Sequence, residues 1–236
     1  METSLYKFIY KSLIKSSAHK TLQDSLKNID DGQADRWTKD EVNILLKNTW
    51  VRVDSMLLKT NLNDMPTIGS RHNVFLAIVT TAAYRELISK GISQNYAARL
   101  IADVGWKLYA LGIKIYSLPF RLTSKNPAIR IERTIKLLMK FPFSAPGRPA
   151  YEATVWKQDN DYFTHWTWCP PQAYVRQLVE QEGDHGELEA FYQSWCLYDW
   201  PGADIMAGDG QKDHYQRRLT QSKGDKVCDM CWKASP

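Results

Sequence analysis

The residues of this chain best suited to chemistry are its thiols. All four cysteines, Cys169, Cys196, Cys228 and Cys231, fall in the last third of 236 residues. A cysteine acts as nucleophile or metal ligand only as the thiolate, so each needs a neighbour that lowers its pKa. Cys228 and Cys231 form a C-x-x-C pair, a spacing used by zinc sites and by disulfide oxidoreductases. A structural zinc site wants a second pair or its Cys/His equivalent; Cys169 and Cys196 stand singly, so no metal is expected. Positions 228 and 231 point to opposite faces of a strand, and no βαβ pattern precedes them, which argues against thioredoxin-like redox work. Cys231 reads as a small buried hydrophobe. The stretch Tyr162 to Cys169 reads as a strand on which Trp166 and Trp168 share one face while His165, Thr167 and Cys169 share the other. That pattern implies core on the aromatic side and a cavity on the thiol side, with His165 as the base nearest to Cys169 in sequence.

The elements that must hold these groups divide the chain by character. Residues 1–150 carry 23 Lys and Arg against 12 Asp and Glu, a net +11, and residues 151–236 carry 8 against 14, a net −6 with six of the nine tryptophans. The first 145 residues read as helices. Thr38 and Glu41 make a capping box ahead of Val42, Leu45, Leu46, Val53, Met56 and Leu57 at helical spacing. Ser70 to Ser89 is apolar nearly all round, which implies burial on several sides. A helix capped by Ser93 is expected to close before Gly112, and another runs from Ala128 to Lys140 with Ile131, Ile135 and Leu138 inward. Its other face, Arg130, Arg133, Lys136 and Lys140, reads as a solvated face.

After the turn-rich connector Pro142 to Pro149, two strands, 152–157 and 162–169, form a hairpin, followed by helices starting near Pro171 and after Gly186. Residues 200–212, with three glycines and two aspartates, are expected to be a loop, and 217–233 a strand pair broken near Lys223 and Gly224. The expected fold is α+β: a helical region, 1–145, packed with a small antiparallel sheet and helices in 146–236 as one compact unit. No apolar stretch reaches the roughly 20 residues of a membrane span. Met1 to Ile14 lacks a leader's apolar core, so the expected address is cytoplasmic, with reduced thiols. No phosphate-binding loop or nucleic-acid signature is present, so neither a cofactor nor a nucleic-acid or membrane partner is expected, and the partner is a small molecule.

The last 85 or so residues carry an ordered pattern: an aromatic strand ending in Cys169, Trp195-Cys196 with Asp199 three residues on, then Arg217, Thr220, Gly224 and Cys228-Asp229 before an apolar terminal strand. This resembles the L-2-amino-thiazoline-4-carboxylic acid hydrolase family, whose members join a helical N-terminal region to such a three-cysteine pattern. The chain departs from the family at Met230, Cys231 and Trp232, where a Phe-Arg-aromatic run is usual, and at Trp168, where a basic residue is. The resemblance implies a hydrolase acting on C–N bonds of a cyclic amidine, giving a carbamoyl-cysteine product.

Within that reading Cys196 and Asp199, at i and i+3, share a helix face. A thiolate would attack the amidine carbon, with His165 or an arginine lowering its pKa. His165 has no counterpart in the family. Asp199 and Asp229 could hold or protonate the amidinium, against the plainer roles of capping or turn-forming carboxylates. Arg217 could clamp a substrate carboxylate bidentately or be a surface strand arginine, and Thr220 could orient a water. Trp166, Trp168 and Trp195 are expected to wall the pocket. Two other readings stay open: a cyclase or isomerase of specialised metabolism on the same scaffold, and a non-catalytic small-molecule-binding module with structural thiols.

Overall fold

Helices occupy most of the chain because apolar residues recur at the spacing of one helix face, and caps stand where that spacing begins. In the computed structural model, which describes residues 2–27 and 35–235, α1 spans Glu2–Leu22 and α2 spans Lys39–Leu58. Met1, the first residue of the stretch read above for a leader, lies outside the described residues. At the start of α2 the Thr38 hydroxyl accepts from the Glu41 amide and the Glu41 carboxylate accepts from the Thr38 amide, so the capping box is formed. α3 (Ile68–Ser89) buries Phe75, Ile78, Ala82 and Leu87 among other residues, as its continuous apolar sequence requires. α5 (Pro127–Leu138) turns Ile131, Ile135 and Leu138 inward.

Two helical segments differ from expectation for one reason. α4 does not stop at Gly112; it runs 30 residues, Gln94–Thr123, through both Gly112 and Pro119. Residues 200–212 are not all loop, since Asp199–Ala207 form α8, ended by Gly208 at φ 59°. Packing between these segments outweighs their weak helix propensity. Ile113 of α4 meets Ala203 and Met206 of α8 in one buried cluster. Gly202 allows the approach, because a Cβ there would stand 2.9 Å from the Tyr109 hydroxyl of α4.

The strands β1 (Glu152–Gln158), β2 (Asp161–Trp168), β3 (Tyr215–Gln216) and β4 (Cys228–Trp232) form one antiparallel sheet in the order β1-β2-β4-β3. The fold is α+β. Tyr162, Thr164 and Trp166 of β2 are buried on the inner face, where the Trp232 indole donates to Thr164 Oγ1 at 2.9 Å. The outer face carries Trp156 stacked on Phe163, with His165 edge-on to Trp156. Of the strand pair expected over 217–233, the second member forms as β4, while its partner β3 lies upstream of Arg217. β3 ends at Gln216, and the following loop contains a single 3₁₀ turn, Gln221–Lys223.

Elements from both ends of the chain share one interior. α6 (Pro170–Glu182) packs on α3, α7 (Glu187–Ser194) packs on α4, and α5 packs on β2 and α8. Arg85 of α3 pairs with Glu182 of α6 and with the buried Glu187 of α7, each at 2.7 Å. The basic face of α5 is partly used: Arg130 donates to the carbonyls of Ala207 and Gly208 at the end of α8, and Lys136 pairs with Glu132. Among the described residues no helix is long and apolar enough to cross a membrane.

Gly112 sits inside a continuous helix, and nothing lies within 4 Å of the Cβ it lacks. Gly112→Ala should therefore raise stability by about 0.5–1 kcal/mol. Urea denaturation would check this through the transition midpoint, which moves down instead if the helix is not regular there.

Candidate functional site

Three of the four thiols gather at the 3₁₀ turn Gln221–Lys223. Cys228, on the inner face of β4, accepts from the Gln221 amide at 3.3 Å and lies 3.6 Å from Thr220 Oγ1. Cys196 Sγ stands 3.2 Å from Ser222 Oγ. Cys169 packs in one apolar cluster with Cys228, Trp166 and Tyr151. The first turns of α6 are tied to the same segment, since Gln172 and Arg176 donate to the Gln221 carbonyl at 3.4 and 2.7 Å. Cys231 lies opposite Phe163 on the outer face, away from the cluster. The C-x-x-C residues thus fall on opposite sides of the sheet, as strand alternation requires.

Cys169 and His165 do not share a face. β2 ends at Trp168, and the chain turns into α6 with Cys169 as its N-cap, so the alternation stops and the thiol joins the inner side. His165 stays outside, beside Trp156 and opposite Asp229 in the β2–β4 register. Asp229 is also turned from the thiols. Its Oδ1 accepts from the Arg218 and Leu219 amides at 2.9 and 2.6 Å, which fixes the loop that carries Thr220. That is the turn-forming role.

Cys196 and Asp199 do not lie on one α-helix, because α7 ends at Ser194 and residues 196–198 form a 3₁₀ turn before α8. They still come to one side, since side chains three apart eclipse in a 3₁₀ turn. Asp199 Oδ2 accepts from Arg217 Nη1 at 3.1 Å and from the Tyr215 hydroxyl at 3.2 Å. Arg217 is no surface residue. Its side chain is 2% exposed, its other Nη donates to the Cys196 carbonyl at 3.1 Å, and its plane covers Trp200 with 4.8 Å to the ring centroid. Both ends of the guanidinium are therefore occupied by the protein.

The tryptophans divide three ways. Trp166 backs the thiols, packed edge to face on Tyr151. Trp168 lies under the Arg148 guanidinium and donates to the Pro149 carbonyl. Trp195 is stacked on Phe191 and donates to Thr80 of α3, in the cluster of Ala77, Val175 and Phe191 against which Cys196 also packs. Sequence reasoning passed over Gln172, Tyr215, Gln221 and Ser222. The only local signal for the last two is their position between Thr220 and Gly224, in a stretch whose sequence reads as strand.

Enclosure sets the electrostatics. Burial pushes the Cys169 thiol well up, and the Gln172 amide in the first turn of α6 opposes this without closing a capping hydrogen bond. Burial pushes Cys196 up to about 12, against the lowering pull of Arg217 and Ser222. Cys228 is raised by burial too, with the Gln221 amide and Thr220 opposing. Asp199 is raised by burial to about 6, while Arg217 and Tyr215 act in the other direction. The resting thiols are protonated at neutral pH, and Asp199 is the neighbouring group able to exchange a proton there.

A groove of about 1250 Å³ opens beside the cluster, bounded by α2, α6, Arg148, Trp168 and the 221–226 loop. Gln172 and Gln221 line it and also touch the thiol-bearing turn. Gln221 is buried, and its Oε1 has no protein partner among the described residues. That oxygen is a buried acceptor in a residue that lines the groove. The chain matches no family model, no curated protein and no solved structure.

The raised Asp199 carboxyl has a thermodynamic consequence. Its folded pKa exceeds the unfolded value of about 3.9, so folding tightens its hold on the proton. Its stabilising contribution is complete below about pH 4 and is lost as pH rises through about 6. Relative to Asp199→Asn, which cannot titrate, the wild-type protein should lose up to about 3 kcal/mol between pH 4 and pH 7. Denaturation of both proteins at the two pH values measures it, and a gain for wild type would show that ion pairing with Arg217 dominates instead.

Proposed function

We propose that this chain is a cysteine-dependent enzyme that opens, or otherwise transforms, a small amino-acid-derived heterocycle such as a 2-aminothiazoline carboxylate, the activity implied by its resemblance to the L-2-amino-thiazoline-4-carboxylic acid hydrolase family. The observation that carries this reading is the gathering of Cys169, Cys196 and Cys228 at one turn beside Asp199. Cys196 is favoured as nucleophile because it keeps partial solvent access and lies three residues from Asp199. In this reading the thiol adds to the amidine carbon and its proton passes to the Asp199 carboxylate. Asp199 then returns the proton to the ring heteroatom that leaves, and water releases the carbamoyl product and restores the thiol. Gln221 Oε1 would accept from an amidine N–H of a substrate entering by the groove. Arg217 positions Asp199 and the Cys196 backbone rather than gripping a carboxylate.

The raised thiol pKa values favour a second reading, a binding module whose thiols are structural. One experiment separates the two. Wild type, Cys169→Ala, Cys196→Ala, Cys228→Ala and Asp199→Asn are assayed for ring opening of the aminothiazoline carboxylate and for tryptophan fluorescence change on binding. The enzyme reading expects Cys196→Ala to lose at least about 100-fold in turnover with binding retained. It also expects the wild-type rate to rise with a pKa near 6, a limb absent from Asp199→Asn. Binding without turnover in wild type would establish the binding module.

A further inference from the structure

The second half of α4 presents an apolar ridge to solvent. Leu111, Ile115, Leu118 and Leu122, spaced by four, three and four residues, are 50%, 62%, 49% and 77% exposed. The opposite side of the same helix is buried against α5 and α8 through Ile113 and Ser117. Scattered exposed leucines need no explanation, but a contiguous stripe along two to three turns does.

Charge around the ridge is of one sign. No Asp or Glu occurs between Asp103 and Glu132, while Lys107, Lys114, Arg121, Lys125 and Arg130 do. Arg130 is spent on the carbonyls ending α8, and Arg121 lies against Gly208. Lys107 and Lys114 flank the stripe on one side, at the spacing of two helical turns, and Lys125 stands just past the helix end. The carboxylates nearby lie at its two ends: Asp103 one turn before Lys107, and Asp209, which shares a surface hollow with Lys125 and pairs with His214.

The geometry points to this ridge as a docking surface for an anionic lipid bilayer, on which α4 lies in the interfacial plane without crossing it. Three observations select that occupant. An exposed Leu/Ile stripe bordered by lysines is the composition of interfacial helices, whose lysine stems follow the apolar surface while the ammonium reaches headgroups. A second copy docked through the same stripe would bring Lys107 and Lys114 against their own kind. Hot spots of protein partners are built from Trp, Tyr and Arg, with Leu under-represented, and the exposed ridge consists of Leu and Ile.

The test is co-sedimentation of the full chain with vesicles of phosphatidylcholine alone and of phosphatidylcholine containing about 30% phosphatidylserine. Binding is expected to the anionic vesicles and not to the neutral ones, and to fall as salt rises from about 0.1 to about 0.5 M. Lys114→Gln should weaken it about fivefold, the contribution of one cation near an anionic surface. Ile115→Ser/Leu118→Ser, with circular dichroism confirming the fold, should weaken it at least about tenfold. Absence of binding to anionic vesicles, equal binding to both kinds, or a double variant that binds as well as wild type overturns the proposal. A wild-type dimer that the double variant dissolves also overturns it, because the occupant is then a second copy.

Discussion

The buried pair between Arg217 and Asp199 is the constraint on which the rest of the site depends. One guanidinium holds the first residue of α8 through the Asp199 carboxylate, the preceding 3₁₀ turn through the Cys196 carbonyl, and its own loop against Trp200. Two separate stretches, the segment 196–200 and the loop after β3, are thereby locked together; the first carries Cys196, and the second leads into the turn that the thiols touch. Arginine suits the task because its planar fork serves two acceptors at fixed angles while its face stacks on an indole. Such a pair supplies little net stability, since desolvating both charges offsets much of their attraction. Removing one partner, however, strands the other in the interior. It acts as a constraint of geometry.

The enclosure that assembles the thiols also suppresses them. Cys228 is buried and Cys169 and Cys196 are partly so, which strips each thiolate of much of its solvation, and the nearby amides, hydroxyls and guanidinium do not make up the loss. The same burial moves Asp199 the other way in usefulness, bringing a carboxyl that would be fully ionised in water to about 6. A set of protonated thiols thus stands beside a carboxyl poised near neutrality, and Gln172 and Gln221 link that cluster to the neighbouring groove.

Much of the scaffold was legible because local rules suffice for it. The capping box at Thr38, the buried faces of α3 and α5, the hairpin of β1 and β2, and the opposite faces of Cys228 and Cys231 each follow from spacing within a few residues. The errors fall where distant packing overrides such rules. α4 passes through Gly112, and α8 forms from glycine- and aspartate-rich sequence, because each is the other's support. His165 parted from Cys169 because a strand's alternation ends where the strand does, and the chain turns into α6 at Cys169, one residue beyond Trp168.

By itself the sequence determined the kinds of group available, the α+β class, and the order in which thiols, carboxylates and the arginine occur along the last 85 or so residues. It could not determine which of them meet. Asp229 adjoins Cys228 in the chain yet faces the backbone of a loop, whereas Asp199 is 29 positions from Cys228 and shares its electrostatic surroundings. Only the tertiary structure decided this, because burial and the pairing of charges arise where segments far apart in the chain exclude water from between them.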